Sequence, residues 1–521
     1  MEHVFYAAGP GGEARIGAAA SDTLARALFR AGFFVGAPLC AGLGRCGRCR
    51  VRFMADAPAP LPAEARRLGS EALAEGWRLA CLHPVRGGER IWVVDPGPSP
   101  AYDRGMDNRE HVVSGPLGLA VDLGTTGLAW RLVGLGDGRI AAEGRGVNPQ
   151  LGAGGEVVSR LAFAMEQGGG ALLRGLVLDV LAQKAALAGP ELAALCVAGN
   201  PAMVSILCDR PLAGLAHAPY GLAWRAGETV DLGRGLPPAY IPPLLGPFVG
   251  ADLSAGLTVL LRQKPEYPFL LADLGTNAEM VLGLAPDRFL ATSAPLGPAL
   301  EGVGLSQGAL AGPGVAVSFE LSPAGLLPVY FDGASPPEGP RGIAGPGYLS
   351  LAARLVEQGV LDRDGRFAHT PPPAPLAARL FRQVARGEGE AVFETAGCRL
   401  FASDVEELLK VKAACNLAMA TLLAAAGLAT TRLASVYLAG AFGARVSPAD
   451  LETLGFFPAG LAARTRVAGN LSLEGATLFL TDPGARDVAG ALSERTGIVP
   501  LTDATDAAES FIRRMVFAYV A

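Results

Sequence analysis

Asp122-Leu-Gly-Thr-Thr-Gly127 and Asp273-Leu-Gly-Thr-Asn-Ala278 share an Asp-Leu-Gly-Thr signature, and each copy sits between two apolar runs. In the first copy residues 117–121 lead in, residues 128–133 lead out, and Gly136-Asp-Gly138 turns the chain into residues 139–143. In the second, residues 269–272 lead in, residues 279–284 lead out, and Pro286-Asp287 turns into residues 289–292. Short apolar runs punctuated by Gly, Asp and Pro predict β-hairpins. The first turn of each hairpin carries an acid, a glycine and one or two hydroxyls or amides, a set suited to phosphate and its metal. Glycine lets backbone N–H groups approach phosphate oxygens, Thr donates a hydrogen bond, and Asp holds magnesium through water.

Two such turns facing each other would grip a nucleotide's phosphates from both sides of a cleft. The pair resembles the two phosphate motifs of the actin, sugar-kinase and heat-shock ATPase superfold. Val436-Tyr-Leu-Ala-Gly-Ala-Phe-Gly443 fits its third element, an apolar strand ending where Gly440 and Gly443 leave bare backbone for an adenosine. The competing reading is a pair of tight turns in a chain with 70 glycines. A P-loop is excluded, because the only lysines, Lys184, Lys264, Lys410 and Lys412, never follow glycine. A Gly-x-Gly-x-x-Gly match at residues 42–47 lies among cysteines and opens no helix, so it fails as a dinucleotide fingerprint.

Those cysteines are the second informative stretch. Cys40-Ala-Gly-Leu-Gly-Arg-Cys46-Gly-Arg-Cys49 brings three thiols together and Cys81 supplies a distant fourth. Three close and one remote is ferredoxin-like spacing for a 2Fe-2S cluster; the first gap of five residues is similar to the adrenodoxin type rather than to the plant type. Gly42, Gly44 and Gly47 let the loop wrap the cluster. Zinc is the alternative, but zinc ribbons pair two short Cys-x-x-Cys knuckles and here the fourth cysteine stands alone. A hairpin from residues 3–7 and 14–16, a helix capped by Ser21 or Asp22 and running to about Ala31, and a closing strand at residues 89–94 predict a β-grasp domain.

With 521 residues the chain can hold two or three domains. Hydrophobic residues at 50% and charged ones at 18% exclude a disordered chain, and a net charge of −5 argues against nucleic acid as a partner. No charged n-region followed by an apolar core opens the sequence, which predicts a cytoplasmic protein. The weakly polar stretch 413–429 contains Asn416 and Thr421 and predicts a buried helix, with no membrane partner. Cys196, Cys208, Cys398 and Cys415 are scattered as core thiols are. Gly and Pro runs place a linker at residues 96–116, between a domain at 1–95 and one at 117–521, and predict surface loops or lids at 332–347 and 371–375. Gly304-Leu-Ser-Gln-Gly308 matches a hydrolase elbow, yet no apolar strand leads into Ser306 and only His369 follows it. His83 and His217 lack metal-ligand spacing.

Joined in one chain, these halves resemble the reductive activators of corrinoid enzymes over nearly the full length. The resemblance runs through Asn148-Pro-Gln150 with Ser159-Arg160, Gly199-Asn-Pro-Ala-Met203, Gly246-Pro-Phe-Val-Gly-Ala-Asp252, Gly297-Pro-Ala-Leu-Glu-Gly302, the run 404–414, and Gly469-Asn-Leu-Ser-Leu-Glu-Gly-Ala476. Relatives tend to carry Thr where Gly127 stands, Gly for Ala278 and Asp for Glu156. The resemblance implies an N-terminal β-grasp 2Fe-2S ferredoxin joined to a two-lobed actin-like ATPase of the ribonuclease-H-like type. It implies ATP-dependent return of a corrinoid protein of a methyltransferase system from Co(II) to Co(I). Cys40, Cys46, Cys49 and Cys81 would then hold the cluster. Asp122, Gly124, Thr125, Thr126, Gly275, Thr276 and Asn277 would hold ATP with Mg2+, and Gly440 and Gly443 would face the adenosine. Asp273 is the first candidate to orient the attacking water, with Glu279 and Glu301 as further candidates. Arg45, Arg48, Arg50 and Arg52 place positive charge beside the cluster, as a steering surface or as solvated arginines. The electron donor stays unnamed and a homodimer is compatible. A small-molecule kinase using the same cleft, and an electron carrier with an inactive ATPase fold, are the rival classes.

Overall fold

Both predicted hairpins form, each at the centre of its own sheet, in the computed structural model. It describes residues 2–9, 12–19, 21–37, 39–40, 42–44, 46–95, 102–104, 115–297, 299, 304–386, 390–443, 445–501 and 507–521. Leu117–Leu123 pairs antiparallel with Gly127–Gly134, which pairs with Ile140–Val147. On the other side Leu192–Gly199 and then Ala239–Ile241 add in parallel. The second sheet repeats this order: Phe269–Leu274, Asn277–Ala285 and Arg288–Pro295 antiparallel, then Ser435–Ala439 and Thr465–Gly469 in parallel. Central strands such as Leu117–Leu123 are covered on both faces, which is why they read as continuous apolar runs rather than as alternating ones. Short edge strands complete the two sheets, among them Tyr102–Arg104 beside Ile140–Val147, inside the stretch expected as linker.

Between the two sheets run two crossed helices, and each buries itself against the half it does not belong to. Ala251–Arg262 follows the first sheet, yet Leu253, Leu257 and Leu260 pack with Phe269, Leu271 and Val281 of the second. Leu471–Thr481 comes from the second half, yet Leu473, Ala476 and Phe479 pack with Ala120, Val133 and Cys196 of the first. The helices touch where side chains vanish: a Cβ on Gly475 would lie 2.5 Å from the Ala255 carbonyl. This swap draws the helix starts, carrying Asp252 and Asn470, to the ends of the central strands where the turns lie.

The outer face of the first sheet is covered by Val157–Ala164 and Gly169–Ala188. The second is covered by Gly345–Glu357, Ala402–Ala426 and two three-stranded sheets. Ala402–Ala426 is long and apolar enough to cross a membrane, and 67% of its most apolar window is buried inside the protein, matching the buried helix expected over 413–429. The loop expected at 332–347 is only half correct. Residues 342–347 are buried, as the strand Gly342–Ile343 and the start of Gly345–Glu357. Pro346 opens that helix, and a Cβ on Gly347 would meet the Ala316 carbonyl at 2.6 Å. Here Gly and Pro mark close packing and a helix start, not exposure.

The N-terminal residues form a five-stranded mixed sheet in the order Gly12–Ala19, Glu2–Gly9, Arg90–Val93, Arg50–Phe53, Trp77–Leu79. The helix Leu24–Arg30 buries Leu24 and Leu28 against it. Its cap is Thr23, whose hydroxyl accepts from Arg26 N, and neither Ser21 nor Asp22 caps it; the Asp22 carboxylate instead accepts from Ala19 N. The sheet domain docks on the first half of the chain. Phe29 meets Phe163 edge-on with centroids 5.4 Å apart, and Arg26 and Arg30, both paired with Glu166, lie over the Phe163 ring.

Candidate functional site

The two Asp-Leu-Gly-Thr turns meet at a cavity of about 760 Å³ between the sheets. Of the residues named from sequence, Asp122, Gly124, Thr125, Thr126, Asp273, Gly275, Thr276, Asn277, Glu279 and Gly440 line it. Gly443 is not among the lining residues; a Cβ there would face Leu438. Glu301 lies outside the described residues, as does Arg45. The turns touch across the cleft: the hydroxyls of Thr126 and Thr276, both buried, are 3.1 Å apart.

Each turn is held from outside. Asn148 Nδ2 donates to the Gly124 carbonyl, and Asn148 N donates to the Thr126 carbonyl, both at 2.8 Å. Asn200, the cap of Pro201–Leu207, donates from Nδ2 to the Thr125 hydroxyl at 2.8 Å. In the second turn Gly275 N donates back to the Asn277 carbonyl at 2.9 Å, so this amide is engaged inside the turn rather than presented to a phosphate. Gly440, at φ 88°, packs so closely on Asp273 that a Cβ would lie 2.4 Å from its Oδ1. Only glycine fits there without displacing the acid.

Five carboxyl groups line the same cavity, and two of them, Asp252 and the Arg131-paired Glu143, were not singled out as site residues from sequence. Asp122 has both oxygens engaged, Oδ2 by Asn470 Nδ2 at 2.7 Å and Oδ1 by Ser472 Oγ at 2.8 Å. Burial nevertheless raises its pKa above the ordinary carboxylate range. Burial, and then the neighbouring Asp122, pushes Asp252 up to about 7. Glu279 is raised well above its usual range by burial, then by Asp252 and Asp273; its Oε2 accepts from Gly250 N at 3.4 Å. Desolvated like charges at one site favour protons or a cation. Asn470, Ser472, Asn200 and Asp252 were missed as site residues. The available signal was an acid in the first turn of a helix following a glycine at 250 and asparagines positioned as helix caps.

The raised acids give a stability prediction with a definite sign. Asp252 holds its proton to about pH 7 when folded but only to about 3.9 when unfolded. Its contribution is therefore fully present below about pH 4 and is lost as the pH rises towards 7. In chelator-containing buffer the melting temperature of Asp252→Asn will overtake that of the wild type as pH rises through this window. The gap will shrink towards pH 4, and a constant gap across the titration would contradict the reading.

The cysteine loop lies on the N-terminal domain. Gly42, Gly44 and Gly47 all have positive φ, at 90°, 65° and 66°, and a Cβ on Gly44 would strike the Leu82 side chain at 2.9 Å. The loop therefore needs glycine for its conformation and, at Gly44, for space. None of the four is in a disulfide, and their thiols lie in contact. Cys46 hydrogen-bonds to Cys40, which also accepts from Cys46 N at 3.4 Å, and Cys49 hydrogen-bonds to Cys81 and lies near Cys46. These contacts raise the pKa of Cys46 and Cys49 above that of an ordinary thiol. Among the described residues no three His, Cys, Asp or Glu side chains are grouped as ligands of a single ion.

Known proteins match this arrangement along most of the chain. Residues 117–263 match the RACo middle region, and residues 268–520 match the C-terminal domain of RACo, the ASKHA domain. The corrinoid activation enzyme RamQ of Eubacterium limosum is 26% identical over 427 residues, covering 77% of this chain and 70% of its own. The [Co(II) methylated amine-specific corrinoid protein] reductase of Methanosarcina barkeri is 27% identical over 393 residues, covering 68% of each. A solved reductive activator for corrinoid, iron-sulfur protein superposes over 98% of both chains with a TM-score of 0.69 at 22% identity, a likeness of fold. With two duplicated sheets meeting at paired phosphate-type turns and both matched regions in sequence, the chain belongs to the RACo family of reductive activators of corrinoid enzymes.

Proposed function

We propose that this chain is an ATP-dependent reductive activator. It returns the cobalt of a partner corrinoid protein from Co(II) to Co(I) with one electron, at the expense of ATP hydrolysis to ADP and phosphate. The observation that carries the reading is the union, in one chain, of the ASKHA cleft with four thiols in mutual contact, three from the glycine-bearing loop and Cys81 from outside it. Three close thiols and one remote are 2Fe-2S spacing, whereas zinc ribbons pair two short knuckles. Cys40 with Cys46 would hold one iron and Cys49 with Cys81 the other, in a domain spanning 1–95. The linker 96–116 and the ATPase domain 117–521 follow. When bound, a 2Fe-2S cluster takes up and releases one electron.

In the cleft, Thr125, Thr126, Thr276 and Asn277 would donate to phosphate oxygens of ATP, and Gly440 would let it approach the backbone. Asp122, Asp252, Asp273 and Glu279 would surround its Mg2+, largely through the water that magnesium retains. Asp273 is the group assigned to orient the attacking water, with Glu279 a further candidate; Asp252, which burial and Asp122 raise to about 7, would take that water's proton. Eight cysteines, none in a disulfide, suit a reducing cytoplasm.

A small-molecule kinase with this fold would form a phosphorylated product and would have no use for the thiol loop. The two readings separate by products: ADP with inorganic phosphate and Co(I) on one side, a phosphorylated acceptor on the other.

A further inference from the structure

The cysteine domain touches both halves of the ATPase cleft, and the two attachments differ in kind. Towards the first half the contact is broad. Phe29 packs on Phe163, Arg26 and Arg30 pair with Glu166, and Gly36 N donates to the Pro149 carbonyl at 3.1 Å. A Cβ on Gly152 would lie 2.4 Å from both the Phe29 ring and the Phe34 carbonyl, so the surfaces are closely fitted. Pro149 follows Asn148, which holds the first phosphate-type turn by two hydrogen bonds. The cysteine domain and the first turn therefore move as one body.

Towards the second half, Arg48, lying between Cys46 and Cys49, donates from its guanidinium to the Gly308 carbonyl at 2.5 Å. Gly308 bridges to Ile343, and Leu310 and Ala311 just beyond it line the cleft. In this state Thr126 and Thr276 bond each other directly, leaving no room between them. A phosphate oxygen accepting from both would sit about 2.7 Å from each and hold them roughly 4–5 Å apart. Seating a phosphate oxygen between them therefore displaces the two hydroxyls by about 1–2 Å, and Arg48–Gly308 is a contact across the two halves that this displacement loads.

We propose that Arg48 and Gly308 form a latch gated by the cleft: closed when the two turns touch, released when magnesium nucleotide separates them, freeing the cysteine loop to meet the partner protein. This rests on the nucleotide-binding reading of the cleft. Because a latch and a ligand that oppose each other are linked reciprocally, removing the latch must also tighten nucleotide binding.

The test is amide hydrogen exchange of residues 42–49 in the full-length, cluster-loaded chain, with and without Mg2+ and a non-hydrolysable ATP analogue, alongside calorimetric binding on the same sample. In the wild type the analogue will speed exchange by about ten- to a hundredfold, the change expected on losing a hydrogen bond to a charged group. Arg48→Ala will exchange at the fast rate without nucleotide and bind the analogue more tightly. Arg48→Lys, which keeps a charge but not the reach, will fall between the two and guards against a folding defect. Binding of the analogue with unchanged exchange in the wild type would overturn the latch and leave the proposed function standing; no binding at all would overturn both.

Discussion

Asp273→Ala will lower ATP turnover by about 10²–10³-fold, the cost of removing one group that acts on developing charge in a dry site, and will weaken nucleotide binding far less. Asp273 ends the strand Phe269–Leu274 and is fixed from above by Gly440. It faces a cavity shared with Asp122, Asp252 and Glu279, all raised above the ordinary carboxylate range, and its charge is one of those that raise Glu279. Removing it takes away the water-orienting carboxylate and also lowers the proton affinity of Glu279. Steady-state phosphate release and equilibrium binding of ATP separate the two effects. Wild-type turnover in the variant would hand the role to Asp252 or Glu279.

Cys46→Ala will abolish the visible absorbance of the chain and its electron transfer together. Cys46 is hydrogen-bonded to Cys40 and is the middle cysteine of a loop set by three positive-φ glycines, so its loss removes one of the four ligands the cluster would need. Native chain will carry about two irons and show the rhombic signal of a reduced 2Fe-2S centre. Cys196→Ala and Cys415→Ala will retain both. Cys196 is wholly buried, and burial holds the Cys415 thiol up at about 12; neither is poised to ligate a metal. A colourless chain with tetrahedral zinc would contradict the assignment.

What the sequence revealed is whatever is local. Both hairpins and the cysteine loop are written in contiguous runs, because a turn needs its glycine and acid within a few residues. What it concealed is what folding brings from afar. Asn470 and Ser472 reach Asp122 only because Leu471–Thr481 crosses into the other half of the molecule, and no local pattern records that crossing. Asp252 looks like an ordinary acid in the first turn of a helix until the same exchange of helices buries it among other acids. The docking of Phe29 on Phe163 is equally invisible, since an apolar residue on a helix reads as core whichever domain supplies the partner. The glycines misled in one place: 342 and 347 signalled a loop and serve instead for close packing.

The central claim is that ATP and the electron are coupled. Plant-type clusters lie near about −400 mV, and each ~59 mV of unfavourable gap costs about tenfold in a one-electron equilibrium. An electron offered to a cobalt of lower potential therefore stays on the iron unless the endpoints are changed. ATP can change them only by differential affinity for two states of the complex, either by favouring a Co(II) form with altered axial ligation or by driving release of the product. The most direct measurement is to mix the reduced chain with a candidate corrinoid protein in the Co(II) state and follow Co(I) absorbance with and without Mg2+ and ATP. The account predicts Co(I) only when both are present, and none with Cys46→Ala or Asp273→Ala; Co(I) forming equally fast without nucleotide would contradict it.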